Sequence, residues 1–326
     1  MQTEQHESIA TKAQERTTAI IIANPTAGSY EQNKHQIEET VEFLREHNWD
    51  VSLKLTQAQG DARRLTREAV EQKLDTVIAV GGDGTINEVI QELAGSETAL
   101  GILPSGTVNV WARETGIPLE NAGAREVLVN GQMHRIDLGQ VNDRYFLLMA
   151  TIGLDAEITH AVEKHPIKRF GILGYIFLGT WLGLDYPNFT VFMQVKNKKR
   201  AIRARVLQVV FGNTQLYAGA LKFTWQARAD DGLLDICMIR NQNFFGRISL
   251  FIDFLLRRKQ RQNWVRYEAA DEVKIHTNEP VAIQVDGDPA GRTSKKGVPA
   301  TLVKVVPGAL KVIVPQELPE ELFSKS

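Results

Sequence analysis

The sequence holds one cysteine, Cys237, in 326 residues. An intrachain disulfide is therefore excluded, and with it a cross-linked secreted scaffold. Set in an apolar strand, Cys237 reads as a core side chain rather than a nucleophile, and a reducing, cytoplasmic setting is expected. Charge of one sign is also lacking: 38 Lys and Arg against 39 Asp and Glu leave a net charge of −1, which argues against wholesale nucleic-acid binding. The apolar stretch Gly171–Leu184 falls short of the roughly 18–20 residues a spanning helix needs. Residues 1–18 are polar and charged with no apolar centre, so they read as a disordered or fraying extension rather than a signal peptide or anchor. Internal repeats and low-complexity tracts are absent. A chain this long exceeds one ordinary core and suggests two domains.

The most informative segment is Gly81-Gly82-Asp83-Gly84-Thr85-Ile86-Asn87-Glu88, which follows the apolar run 75–80 and leads into Val89-Ile90-Gln91-Glu92-Leu93. That order is strand, glycine loop, helix. Small residues let a backbone approach a phosphate chain closely, and the helix that follows offers free N–H groups and the positive end of its dipole. An acid within such a cradle points to binding through Mg²⁺ or water, or to orienting a reacting group; the plain alternative is a strand-to-helix turn in which Asp83 or Thr85 caps the helix. Two further loops follow apolar strands in the same way. Asn24-Pro25-Thr26-Ala27-Gly28 ends the run 19–23, and Pro104-Ser105-Gly106-Thr107-Val108-Asn109 ends the run 101–103. Loops after parallel strands gather on one edge of a sheet, so the three can converge on one ligand. Residues 51–55, with Thr56 and Gly60-Asp61-Ala62, supply another strand and helix start.

These segments, in this order, resemble the diacylglycerol kinase catalytic family, which includes soluble bacterial lipid kinases and is related to sphingosine and ceramide kinases and, through the glycine motif, to NAD kinases. The resemblance implies an ATP- and Mg²⁺-dependent lipid kinase of phospholipid metabolism, acting on diacylglycerol or a related hydroxyl lipid. It implies nucleotide contacts at Asn24, Pro25, Thr26, Ala27, Gly28, Thr56, Gly81 to Glu88 and Thr107. In the second half, Asp230-Asp231-Gly232-Leu233 resembles a segment that holds a structural Mg²⁺, with Asp231 as the carboxylate and the main chain near Arg228 and Leu233 completing the site; an Asp-Gly turn between strands is the alternative. Gln284-Val285-Asp286-Gly287-Asp288 matches the loop carrying the family's catalytic acid or base, with Asp288 where Glu is usual. Asp286 and Asp288 are the candidates for accepting the acceptor hydroxyl's proton, with Asp83 supporting metal and phosphate; the competing reading is an exposed hairpin turn. One departure stands out: Val110 occupies the position where the family has an aspartate after Asn109.

The expected fold is a Rossmann-like, NAD-kinase-type α/β domain over 19–135, completed by 307–318, followed by a β-sandwich over 136–306. Strands are expected near 139–151, 190–196, 202–212, 234–240, 272–276, 281–285 and 298–306, and the nucleotide is expected in the cleft between the domains. Two segments bear on the acceptor. His165 to Leu184 reads either as a membrane-touching or lipid-lining helix or as an ordinary buried one. Residues 244–256, followed by the basic run 257–261, read as an amphipathic helix suited to peripheral contact with the inner membrane face; cations at a helix C-terminus are also favourable on dipole grounds alone. A homodimer is left open. Two other functions stay in play: a catalytically weak nucleotide- or lipid-binding regulator, suggested by Val110, and a soluble-substrate kinase related to NAD kinase.

Overall fold

The computed structural model describes residues 16–25, 30–164, 186–196, 201–217, 221–240, 242–256, 258 and 263–324. The expected helix at 165–184, the loop residues Thr26, Ala27 and Gly28, and most of the basic run 257–261 lie outside the described residues.

The first half alternates strand and helix: β1 (Thr17–Ala23), α1 (Tyr30–Glu46), β2 (Trp49–Leu55), α2 (Asp61–Glu71), β3 (Thr76–Gly81), α3 (Asp83–Leu93), β4 (Ala99–Pro104), α4 (Val110–Thr115) and α5 (Asn121–Asn130). The strands are parallel in the order β2-β1-β3-β4. β3 and β4 are buried along their whole length, which is why they read as unbroken apolar runs: helices cover both faces of a parallel sheet. β1 starts at Thr17, inside the segment expected to be a loose extension. Thr18 is tied there by its amide and hydroxyl to the Asp75 carboxylate, both at 2.8 Å.

The second half is strand-rich: β5 (Gln132–Val141), β6 (Arg144–Phe146), β7 (Met149–Gly153), α6 (Leu154–Lys164), β8 (Phe189–Val195), β9 (Ile202–Gly212), the short β10 (Leu216–Tyr217) and β11 (Leu221–Lys222), β12 (Leu234–Arg240), α7 (Phe244–Leu255), β13 (Val265–Ala270), β14 (Glu272–Thr277), β15 (Ala282–Val285), β16 (Asp288–Arg292) and β17 (Thr301–Val314). Alternate residues of β7, β8, β9, β12, β14 and β15 close on a second core around Phe189, Val191, Met193, Phe211, Ile236 and Ile283. This is the sandwich. Cys237 is fully buried on the other face of β12, in the larger core.

The two halves are one continuous sheet. β5 and β17 run antiparallel to each other from Gln132 to Val141, crossing the expected boundaries at 135 and 306 without a break in the chain. β17 also joins β4 in parallel at Val312 and Leu100 and pairs with β14 at its other end. The register slips between Val306 and Leu310, where Gly308 has φ +58° and gives its amide to Asp137 Oδ1 at 2.8 Å. Asp137 Oδ2 takes the amide of Gly232 at 2.6 Å, so one carboxylate holds both the kink in β17 and the turn before β12.

α4 is tied to β10 by Glu114, which is buried and accepts the amides of Gln215 and Leu216 at 2.8 and 2.9 Å. Burial pushes its carboxyl up from 4.5 to about 7. The folded protein therefore keeps a proton that the unfolded chain has released, so this group's contribution to stability falls as pH rises from about 4.5 to about 7 and is level above. In chemical denaturation, Glu114→Gln is expected to remove that slope, shifting the stability of the variant relative to wild type by about 3 kcal/mol between acid and mildly alkaline pH. An unchanged difference across the window would contradict it.

Candidate active site

The carboxyl ends of β1, β3 and β4 lie side by side, which brings their loops together at one edge of the sheet. Asn24 gives its amide to Val80 O at 3.3 Å, and Ser105 gives its amide to Gly81 O at 3.0 Å. The second and third loops touch backbone to backbone: a Cβ on Gly106 would lie 2.5 Å from Gly82 Cα. Glycine at 106 is a packing requirement, and a Cβ on Gly82 would make a tight contact of 3.2 Å with Gly106 Cα. Gly84, in the first turn of α3, is different, because a Cβ there would meet nothing within 4 Å. The space above it adjoins a helix N-terminus that has no side-chain cap, and an anion of phosphate size fits that chemistry. Thr107 is exposed on the neighbouring loop.

Asp83 does not cap its own helix. Its Oδ1 accepts the amide of Val110 at 2.9 Å, so it closes the start of α4 and locks the β3 and β4 loops together. Burial raises its pKa, against the pull of these amides. Val110 contributes that amide and buries its isopropyl group in the core. Asn109 sits at φ +50° and clasps Gly106 with both ends of its amide, at 3.0 and 2.8 Å. Ile86 also points into the core, leaving only its main chain near the loops. Thr56 is buried, with its amide on Ala23 O at 2.9 Å. Glu88 accepts the amide of Gly60 at 3.1 Å and thereby seats the start of α2 on α3.

The two acids of the second half arrive on a hairpin. Val285 pairs with Asp288 across the two-residue turn Asp286-Gly287, and both turn residues have positive φ, +47° and +87°, which is the favoured Asp-Gly hairpin geometry. The hairpin and catalytic readings of this motif are thus compatible, because the turn points at α3. Asp288 Oδ2 accepts from Asn87 Nδ2 at 3.0 Å and from Arg144 Nη2 at 2.8 Å, and its side chain keeps 45% exposure. Asp286 faces inward. Its carboxylate accepts the amides of Leu147, Leu148 and Met149 at 2.7, 2.9 and 2.9 Å, while burial, and then the negative charge of Asp83, push it up to about 7. Asp286 holds the β6–β7 turn, whereas Asp288 keeps part of its carboxylate open to solvent.

Arg144, Gln91 and Tyr145 are members of this site that the motifs do not contain. Gln91 Nε2 donates to Asn87 Oδ1 and to Tyr145 O, at 3.0 and 2.9 Å, and its Oε1 takes the Tyr145 amide at 3.1 Å. Its signal was available: Asn87 and Gln91 are polar residues one turn apart on α3. Arg144 carries no such mark in the sequence.

At the other expected site, Asp231 Oδ1 accepts the amide of Leu233 at 3.0 Å, across Gly232 at φ +75°. This is a side-chain-closed turn. Burial raises its pKa, and the negative charges of Asp137 and Asp230 raise it further, so a divalent cation would be favoured there on charge. Arg228 turns its guanidinium to Phe323 O at 3.3 Å, leaving its main chain as the group on offer. Among the described residues no group of three or more His, Cys, Asp or Glu is arranged to hold a metal, so a cation at Asp231 would rely on main-chain oxygens.

Because the Gly82–Gly106 contact joins the two loops, Gly106→Ala is expected to cost about 1–3 kcal/mol of stability, measured by urea unfolding. A variant as stable as wild type would show that the contact is loose.

Comparison with known proteins agrees with this geometry. The diacylglycerol kinase catalytic domain matches residues 18–141, and the YegS C-terminal NAD kinase beta sandwich-like domain matches residues 149–314. A Pseudomonas aeruginosa protein named "Probable lipid kinase YegS-like" is 32% identical over 322 residues, covering 92% of this chain and 95% of its own. The Bacillus subtilis "Diacylglycerol kinase" is 28% identical over 308 residues, covering 93% and 98%. The crystal structure of a diacylglycerol kinase from Bacillus anthracis superposes with a TM-score of 0.71 at 22% identity, over 91% of this chain and 97% of that one, and shows the same fold. With both halves matched in order and relatives similar along nearly their whole length, this chain belongs to the diacylglycerol kinase and YegS-like lipid kinase family.

Proposed function

We propose that the chain transfers the γ-phosphoryl group of ATP, with Mg²⁺, to the hydroxyl of diacylglycerol or a related hydroxyl lipid. The observation that carries this reading is the hydrogen bond from Asn87 to Asp288 at 3.0 Å, which sets a part-exposed carboxylate beside the helix whose N-terminus adjoins the open space at Gly84. The names of the relatives, diacylglycerol kinase and lipid kinase, support a lipid as acceptor.

When bound, the polyphosphate would be held by the glycine loop at Gly82 to Gly84 and the loop at Thr107, where the α3 dipole favours negative charge. Asp83, whose Oδ1 is held by the Val110 amide, is the carboxylate that would hold Mg²⁺ through its other oxygen; when bound, the ion neutralises charge on the transferring phosphoryl oxygens. Asp288 accepts the proton of the attacking hydroxyl, and Arg144 and Asn87 fix its orientation, so that one Oδ stays on its two donors and the other faces the acceptor. Asp286 keeps the hairpin seated through the three amides of 147–149. A structural Mg²⁺ at Asp231, with the main chain of Arg228 and Leu233, would relieve the repulsion among Asp137, Asp230 and Asp231. With Val110 in the core, no carboxylate is supplied from that position, and the burden on Asp83 is correspondingly greater.

Transfer of label from γ-labelled ATP to diacylglycerol, ceramide, sphingosine and phosphatidylglycerol in mixed micelles, with NAD alongside, tests the reading. Label in a lipid, absent without Mg²⁺, is expected; label in NAD alone, or ATP binding with no transfer to any acceptor, would contradict it. Asp288→Asn is expected to lower kcat about 10²–10⁴-fold with ATP affinity nearly unchanged, because Asp288 meets the acceptor rather than the nucleotide loops. An Asp288→Asn enzyme of near wild-type kcat would remove Asp288 from the proton transfer.

A further inference from the structure

Away from the loops, the outer face of the sandwich carries two features that the reaction leaves unused. The first is a cleft of about 480 Å³ lined by Asn188, Thr190, Arg203, Arg205 and Asn278. Arg205 lies opposite Thr190, and Arg203 opposite Phe192, across the β8–β9 pair. The Arg203 guanidinium and the Lys296 ammonium both lie over the Phe192 ring, at 5.6 and 3.8 Å from its centroid. Among the described residues no carboxylate pairs with Arg203 or Arg205. Asn278 spends its Oδ1 on the Thr190 amide at 2.6 Å, which leaves its NH₂ as a donor. The buried Oδ1 of Asn188 has no hydrogen bond, and turning that amide over presents a donor in its place. Residues 196–205 contain six Lys and Arg and no Asp or Glu in a chain of net charge −1.

The second feature is α7. Leu250 and Phe254 are buried, with the Phe254 ring 4.7 Å from Phe223, and they share a core with Val210 of β9 and Cys237 of β12. The opposite side of the helix is a row of partly exposed large apolar side chains: Phe245, Ile248, Ile252 and Leu256, with 77%, 43%, 44% and 52% exposure. These positions fall within one narrow stripe of a 3.6-residue helix. The helix and the cleft share a face of the sheet. Opposite Arg240 the register of β9 shifts, and the shift puts Arg203 and Arg205 on the side of β9 that carries Val210. Arg247, in the first turn of α7, reaches Tyr186 O at 3.4 Å, two residues from Asn188.

We propose that this face is the membrane-docking surface: the α7 row enters the headgroup layer of an anionic phospholipid bilayer while the cleft takes a headgroup phosphate on Arg203 and Arg205. The proposal rests on the lipid-kinase reading and adds the surface by which the enzyme meets its substrate. Charge selects the bilayer as occupant, since unpaired guanidinium groups sit beside an apolar row free of acids along its exposed stripe. A second copy of the chain fits less well: the row offers roughly 400 Å², about half of the ~800 Å² per partner in a stable interface.

Co-sedimentation with vesicles of phosphatidylcholine, alone or mixed with phosphatidylglycerol, tests it at low and high salt. The wild type is expected to prefer the anionic vesicles and to lose the preference in high salt. Arg203→Ala/Arg205→Ala is expected to weaken anionic binding about five-fold per arginine, and Ile248→Ser/Ile252→Ser to weaken binding to both vesicle types. Both variants are expected to keep wild-type turnover of diacylglycerol in neutral detergent micelles. Variants that sediment like wild type overturn the proposal, as does equal binding to the two vesicle types. Saturable binding of inorganic phosphate that requires the two arginines, with no vesicle binding, assigns the cleft to a soluble phosphate and also overturns it. Vesicle binding that follows the pattern above, with no lipid turnover by the wild type, supports the docking surface and contradicts the kinase reading separately.

Discussion

One hydrogen bond, from Asn87 Nδ2 to Asp288 Oδ2 at 3.0 Å, joins side chains 201 residues apart, and the rest of the active edge depends on it. Asn87 belongs to the helix that begins in the glycine loop, and Asp288 to the first position of β16. Neither end can move alone. Gln91 anchors Asn87 to the backbone of Tyr145, and the adjacent Arg144 returns to the same Asp288 oxygen. A buried polar side chain such as Asn87 is costly unless its groups are matched; here the ring of donors and acceptors closes, so polarity supplies position. The continuous pairing of β5 with β17 carries the load behind it, holding the parallel sheet and the sandwich as one surface.

The carboxylates of this edge show how environment divides roles among identical groups. Asp83 and Asp286 are both drawn in and satisfied by backbone amides, and both have raised pKa values because burial outweighs those amides. Asp288 stays near solvent and is oriented by two side chains. Carboxylates placed so differently do different work: the first two organise loops and turns, and the third is left with an oxygen to offer. Asp137 and Glu114 perform the organising function elsewhere, Asp137 receiving amides from two separate segments and Glu114 the adjacent amides of Gln215 and Leu216.

The parallel strands and their loops were legible because fully buried strands leave continuous apolar runs and because glycines mark places where backbones touch, as Gly82 and Gly106 do. The Asp286-Gly287 turn was equally legible, since its two positive φ angles demand those residue types. Other features are tertiary and leave no local trace. The partner of Asp83 is the amide of Val110, which any residue supplies, so capping of α4 from another helix has no sequence signature. Arg144 is one arginine among many until the hairpin reaches it. β13, Val-Arg-Tyr-Glu-Ala-Ala, and the five-residue β16 were outside the expected strands, and both lie at an edge: β13 is a partner of β12 alone and β16 a partner of β15 alone. The long β5 and β17 were divided at an expected domain boundary that the sheet ignores, since hydrogen bonding continues wherever register allows.

The central claim is that α3 holds the Asp288 carboxylate in place for phosphoryl transfer. A double-mutant cycle on Asn87→Ala and Asp288→Asn, read as the single-turnover rate of label transfer from ATP to diacylglycerol, tests it most directly. The account predicts strong coupling, with the double variant no slower than Asp288→Asn alone and an interaction of about 1–3 kcal/mol. Losses that simply add would show that the two side chains act independently, and the claim would fall.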